Sequence, residues 1–216
     1  MDELRYTLLS DGSANKALMP ILTWLLQQHL HNVAIQQEWA DLRLLPKPPS
    51  RSRLDERIRL SLDLYPCDLL FVHRDAETAS SDERSSEINR AVQQAQSLIE
   101  VPHTVCVVPV RMMEAWLLFD LYAIRRAAGN PNGTQSLNLP PLRELENLPN
   151  PKATLFQILR KASGLRGRRL NSFDHRLALH RIPDYIEDFG QLRTLSAFRR
   201  LENDTMEAIG HLASIR

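Results

Sequence analysis

Residues 68–77 read DLLFVHRDAE. Leu69, Leu70, Phe71 and Val72 form a short, unbroken apolar run that begins just after Tyr65-Pro66. A run of this length without polar alternation is the pattern of a strand covered on both faces, so Asp68–His73 is expected at the centre of a parallel sheet. Two acids, Asp75 and Glu77, follow at i, i+2 spacing, which lets both face the same edge.

Upstream, Arg5–Ser10 (RYTLLS) is a β-type run that stops at Asp11-Gly12. From Ser13 to His31 the apolar positions 17, 18, 21, 22, 25 and 26 repeat at helical spacing. Asp11 or Ser13 is placed to cap this helix, and Pro20 inside the pattern implies a kink or a later start. Val33–Trp39 (VAIQQEW) alternates as a second strand; Pro46–Ser50 (PKPPS) then breaks the chain before a basic amphipathic helix from about Arg53 to Leu64. Downstream, Ser81–Ile99 reads as a helix, His103–Val110 (HTVCVVPV) as another apolar strand and Met112–Ala128 as a helix. Strand and helix alternate four times, which predicts an α/β, Rossmann-like parallel-sheet sandwich with helices on both faces.

Gly129–Pro151 contains NPNG and five prolines, the composition of a connector. Beyond it, Lys152–Ala162 and Phe189–His211 read as helices around a basic stretch from Arg166 to Arg181. The expected organisation is therefore an α/β domain over 1–128, a connector over 129–151 and a basic, mainly helical C-terminal extension over 152–216.

With 216 residues, 43% hydrophobic and 25% charged, the composition is ordinary for a globular protein and favours neither a disordered nor a membrane-embedded chain. Lys+Arg 27 nearly balance Asp+Glu 26, so net charge announces no polyanionic partner. The distribution is uneven. Eight acids lie between Asp75 and Asp120 against three arginines (Arg84, Arg90, Arg111), whereas Lys152–Arg181 carries eight cations and one acid, Asp174. Cys67 and Cys106 have no CxxC partner and read as buried thiols of a reducing compartment. The start lacks a charged segment followed by a long apolar one and no window is long enough to span a membrane, so a cytoplasmic protein without membrane contact is expected. There is no GxxxxGK[ST] loop, paired CxxC or HExxH, which argues against ATP hydrolysis and structural zinc. Trp24, Trp39, Trp116 and the Met112-Met113 pair fall on apolar faces and read as packing residues.

In open parallel sheets ligands bind beyond the C-terminal strand ends. Asp11 follows the first strand, Asp75 and Glu77 the third, and Glu114 opens the helix after the fourth. Carboxylates brought from separate loops to one edge repel unless neutralised, and a hard divalent cation does this through oxygen ligands. Bland readings stand beside each residue: Asp11-Gly12 as a turn and helix cap, Asp75-Ala76-Glu77 as a solvated loop, Glu114 as a first-turn acid. Arg74, Arg111 and His73 lie near the same edge, where arginines stabilise phosphate charge; Arg74 also reads as the simple partner of a neighbouring acid, and a strand-end histidine is more often structural. Arg160, Lys161, Arg166, Arg168, Arg169, Arg176 and Arg181 put seven cations in 22 residues, a track for phosphates or a solvated face. Few aromatics interleave with them, so base stacking is not indicated.

Three stretches resemble the Toprim domain of topoisomerases, primases and the overcoming-lysogenization-defect nucleases. In LLSDGSAN (8–15), Asp11 stands where that family has the Glu of a strand-ending Glu-Gly, and Asn15 where it often has a second acid. In LLFVHRDAE (69–77), Asp75 and Glu77 occupy its Asp-x-Asp positions. VVPVRMMEAWLLFD (107–120) looks like a segment of Toprim-like bacterial proteins, some linked to ATPase partners and phage defence. The resemblance covers roughly Leu4–Tyr122. It implies a nuclease of nucleic-acid phosphodiesters that takes Mg²⁺ (or Mn²⁺) on Asp11, Asp75 and Glu77, with Glu114 joining these three in the catalytic set. Arg111, Arg166, Arg168, Arg169 and Arg176 would then hold the nucleic acid. Such a chain is expected to act in anti-phage defence with an ATPase partner. The alternative is a non-enzymatic Toprim-like subunit that binds a protein or nucleic acid.

Overall fold

All five residues of the strand at Leu69–His73 are buried, and the surrounding elements account for how. A computed structural model describes residues 2–50 and 52–215. Strands β1 (Glu3–Leu9), β2 (Ala34–Ala40), β3 (Leu69–His73) and β4 (His103–Val107) form one sheet in the order β2-β1-β3-β4. Every neighbouring pair is parallel, with Leu9 opposite Ala40 and Val72, and His73 opposite Val107. All four C-terminal ends therefore share one edge.

Helices α1 (Met19–His29), α2 (Leu54–Leu64), α3 (Ser81–Gln96) and α4 (Leu121–Ala127) follow the four strands in turn. Because side chains alternate along a strand, β3 serves two cores. Leu70 and Val72 pack with Leu9 and with Leu54, Ile58, Ile88 and Ala91 of α2 and α3. Leu69 and Phe71 face the opposite cluster, which runs from Leu4, Tyr6 and Leu8 through Leu22, Trp116 and Phe198. That second cluster also takes in α5 (Pro151–Ala162), α7 (His175–Arg181) and α8 (Ser196–Ile215); between α5 and α7 lies the short α6 (Gly167–Asn171), none of whose residues is buried. The edge strand β4 is covered by α8, where His103 and His211 stack at 5.0 Å.

The expected α/β parallel-sheet architecture is present, with four local differences, one of them near the C-terminus, where the helix expected over 189–211 is a 3-10 helix at Gly190–Thr194, an extended Leu195 and then α8. Residues 13–18 form a 3-10 helix and α1 starts only at Met19, so Pro20 lies in its first turn, where its missing N–H costs nothing. Strand β4 ends at Val107 instead of 110, because Pro109 has no N–H for the ladder and Arg111 adopts φ 61°. The helix expected over 112–128 is a 3-10 helix at Met113–Leu117 followed by α4; Asp120 accepts a hydrogen bond from Ala123 N (2.8 Å) and so starts a new helix. Within 129–151 the chain is irregular apart from a 3-10 helix at Leu142–Asn147, and Leu137 and Leu145 are buried in the larger core. Cys67 and Cys106 are free, half-buried thiols. Among the described residues no helix is long and apolar enough to cross a membrane.

Phe71 is fully buried and meets Tyr6 edge-on at 5.4 Å. Phe71→Ala should lower unfolding stability by about 3–5 kcal/mol. Ser80→Ala removes the capping box in which Ser80 and Glu83 exchange hydrogen bonds at the start of α3, and should cost about 1 kcal/mol. Urea denaturation of both variants checks the ranking; equal losses would contradict a core centred on β3.

Candidate functional site

Beyond Val72 and Val107 the two central loops stay zipped together. Arg74 N, Ala76 N and Glu77 N donate to the carbonyls of Val107, Pro109 and Arg111 at 3.2, 3.4 and 2.8 Å. Glu77 and Arg111, the ends of this zipper, both have left-handed backbones (φ 53° and 61°). Non-glycine residues hold that conformation only where the surroundings enforce it, and such strain concentrates at functional sites.

The zipper helps form the wall of a cleft of about 290 Å³ lined by Asp11, Asn15, Arg74, Asp75, Glu77, Arg84, Met112, Glu114 and Lys152, among others. All four expected carboxylates, Asp11, Asp75, Glu77 and Glu114, thus converge from three separate chain regions. Among the described residues, however, no three His, Cys, Asp or Glu side chains stand ready-made around one point for a metal ion.

Asp11 is committed on both oxygens. Oδ1 takes Arg57 and Oδ2 takes Arg74 Nε at 3.1 Å. Arg57 is itself buried, and its second nitrogen donates to the Ser10 carbonyl at 2.7 Å. From there charges alternate across the site: Arg74 reaches Glu87 (3.2 Å), Glu87 takes Arg84 (2.8 Å), and Arg84 approaches Glu77 at 3.8 Å. Glu77 is the most open of the acids, with 63% of its side chain exposed.

Asp75 accepts a hydrogen bond from Met113 N (2.9 Å) through Oδ1, which anchors the start of the 3-10 helix at 113–117. Glu114, one residue on, is buried. Its closest counter-charge is Lys152 Nζ at 3.8 Å, carried in by α5 packing on that 3-10 helix. Burial raises the Glu114 pKa above its ordinary 4.5; the Asp75 charge adds to the rise, while its own backbone N–H, Lys152 and His73 oppose it.

Arg111 is not among the residues lining the cleft: its carbonyl accepts from Glu77 N, and its side chain is exposed. Arg166, Arg168, Arg169 and Arg176 are exposed on and around α6 and α7, outside the cleft lining. Among the described residues none of these four forms an ion pair, in contrast to the arginines of the cleft. Helix α5 links the two regions: Lys152 at its start lines the cleft, and Arg160 and Lys161 at its end lead into the basic stretch.

Sequence reasoning did not single out Arg57, Arg84 or Lys152. Arg57 had a signal, since it shares a helical face with the buried Leu54, Ile58 and Ser61. Lys152 had none, because only the packing of α5 brings it to the sheet edge.

Comparison of the chain with protein-family models, curated proteins and solved structures finds no match in any of the three. Function therefore rests on the site.

Two measurements probe this geometry. Asp11→Ala strips buried Arg57 of its carboxylate and should cost about 3 kcal/mol of unfolding stability, whereas Glu77→Gln at an exposed position should stay within about 0.5 kcal/mol. For Glu114 the folded-state pKa lies above that of the unfolded chain, so the folded protein holds the proton longer. In metal-free buffer, its contribution to stability is full at low pH and is lost as pH rises from about 4.5 through the raised folded value. Glu114→Gln should flatten that decline in denaturation midpoints; an unchanged pH profile would show that Glu114 is not the group responsible.

Proposed function

We propose that this chain is a Toprim-like, Mg²⁺- or Mn²⁺-dependent nuclease that hydrolyses nucleic-acid phosphodiesters. The observation that carries the reading is the convergence of four carboxylates and three cations (Arg74, Arg84, Lys152) in one cleft at the C-terminal edge of a parallel sheet. A mixed site of this kind suits a phosphate together with a cation.

The donor set fits a hard divalent ion. Asp75 has only Oδ1 engaged by Met113 N, Glu77 is largely open, and buried Glu114 has no counter-charge closer than 3.8 Å. Asp75 and Glu77 would hold the ion, with Asp11 joining when it exchanges a guanidinium for the cation. Once bound, the ion supplies Lewis-acid polarisation of the phosphate and acidifies water. Arg74, Arg84 and Lys152 orient the phosphate oxygens and offset the charge that builds on them. A phosphate beside Arg74 competes with Asp11 for the guanidinium and so frees a carboxylate oxygen. Glu114, with its raised pKa, is the proton acceptor for the attacking water.

Helix α5 has 12 residues and so carries positive charge about 18 Å from the cleft to the unpaired arginines. This is the path proposed for the nucleic-acid backbone. The resemblance of Val107–Asp120 to proteins linked with ATPases supports placing the chain as an effector in phage defence beside an ATPase partner.

A second reading is a non-enzymatic subunit that uses the same fold to bind nucleic acid or protein. It is favoured by Asp11, whose two oxygens are both taken by arginines.

Incubation of the purified protein with plasmid DNA or RNA and Mg²⁺ or Mn²⁺ separates the two. The nuclease reading expects cation-dependent cleavage that falls at least 100-fold in Asp75→Asn and Glu77→Gln while both variants retain wild-type melting temperatures. Absence of cleavage, with the proposed partner present, would overturn the nuclease reading. The nuclease reading, and the second reading where its ligand is nucleic acid, expect Arg168→Glu/Arg169→Glu to weaken nucleic-acid binding and to reduce the slope of log K against log salt by about 1.4–1.8; an unchanged slope would remove the basic stretch from the interface.

A further inference from the structure

His73 is the last residue of β3, and its side chain is 0% exposed. Nδ1 lies 2.8 Å from the Val107 carbonyl oxygen on the neighbouring strand. A carbonyl only accepts, so Nδ1 carries a proton, and Nε2 is the atom left to take a second proton or to offer its lone pair. That atom is buried and has no hydrogen-bond partner among the described residues. It faces Asp75 Oδ1 at 3.5 Å, beyond the 2.7–3.2 Å typical of an N–H···O hydrogen bond. An imidazole nitrogen and a carboxylate oxygen are thus aimed at each other in a desolvated place, an arrangement that calls for a positive centre between them, either a proton on Nε2 or a metal ion.

A histidine anchored through Nδ1–H to a backbone carbonyl, with Nε2 free and directed at a carboxylate, has the geometry of a metal ligand whose orientation is set by its outer hydrogen bond. Donors that share one ion at about 2.0–2.2 Å in tetrahedral geometry stand about 3.3–3.6 Å apart, a range that includes the separation found here. We propose that His73 Nε2 is a nitrogen ligand of the cation held by Asp75. The inference rests on the cation-binding half of the proposed function and changes its chemistry. An imidazole favours Zn²⁺, Co²⁺ or Ni²⁺ over Mg²⁺, which takes oxygen ligands. The site is therefore a borderline transition-metal site, with affinity rising from Mg²⁺ through Mn²⁺ and Co²⁺ to Zn²⁺. Glu114 is close enough to the pair for the charges of Asp75 and His73 to act on it.

The test uses the full chain and the metals themselves. Pulsed EPR of the Mn²⁺-loaded protein should show coupling to a ¹⁴N nucleus, replaced by ¹⁵N coupling when the histidines are ¹⁵N-labelled. Loss of that coupling in Asp75→Asn assigns the nitrogen to this site and not to another histidine. His73→Asn keeps a side-chain N–H within reach of the Val107 carbonyl but lacks Nε2, and should bind Zn²⁺ at least tenfold more weakly. If this variant does not fold, the labelled wild-type spectra decide alone. Mn²⁺ binding without nitrogen coupling overturns the inference and leaves an all-oxygen site, so the proposed function stands. Binding of none of the four cations overturns both.

Discussion

A strand that is apolar on both faces has to be covered on both, and the architecture follows from that requirement at β3. Leu70 and Val72 need a helical layer on one side and Leu69 and Phe71 another on the opposite side. Parallel neighbours with crossover helices meet both needs at once. The same solution places every C-terminal strand end on one edge, so residues 11, 75, 77 and 114 become neighbours although up to 103 positions separate them in the chain. The candidate site is a by-product of how β3 is buried.

At that edge, electrostatics decides which acids are available. Arg57 cannot remain buried without a counter-charge, and Asp11 supplies it. Arg74, Glu87, Arg84 and Glu77 extend the alternation from α2 across to α3, so part of the negative charge at the cleft is already offset by protein cations. Asp75 and Glu114 stand apart from this chain of pairs. One is held by a backbone amide, the other is buried with a lysine at 3.8 Å. The charge that a ligand would answer is concentrated on these two, beside His73. The basic surface around α6 is the reverse case, with exposed arginines that form no ion pair among the described residues.

Much of the fold was legible because hydrophobic period reports element type directly. The strand at 69–73 and the helices at 54–64, 81–96 and 151–162 fall within a few residues of their expected bounds. The departures come from local polar chemistry that period does not register: Asp120 capping a second helix inside 112–128, and Pro109 with the left-handed Arg111 ending β4 early. In the site, Asp11, Asp75, Glu77 and Glu114 were legible as residues that follow strands, and they do share one cleft.

By itself the sequence determined the alternating α/β order, the central place of residues 69–72 and the candidate acids, because these depend on short-range pattern and on position after a strand. Tertiary structure alone decided which acids are engaged and which are open. Arg57 reaches Asp11 across 46 residues, Lys152 reaches Glu114 across 38, and His73 is set against Asp75 by a carbonyl on another strand. Charge pairing and ligand geometry depend on distances of a few ångströms between remote segments, and no local pattern encodes those distances.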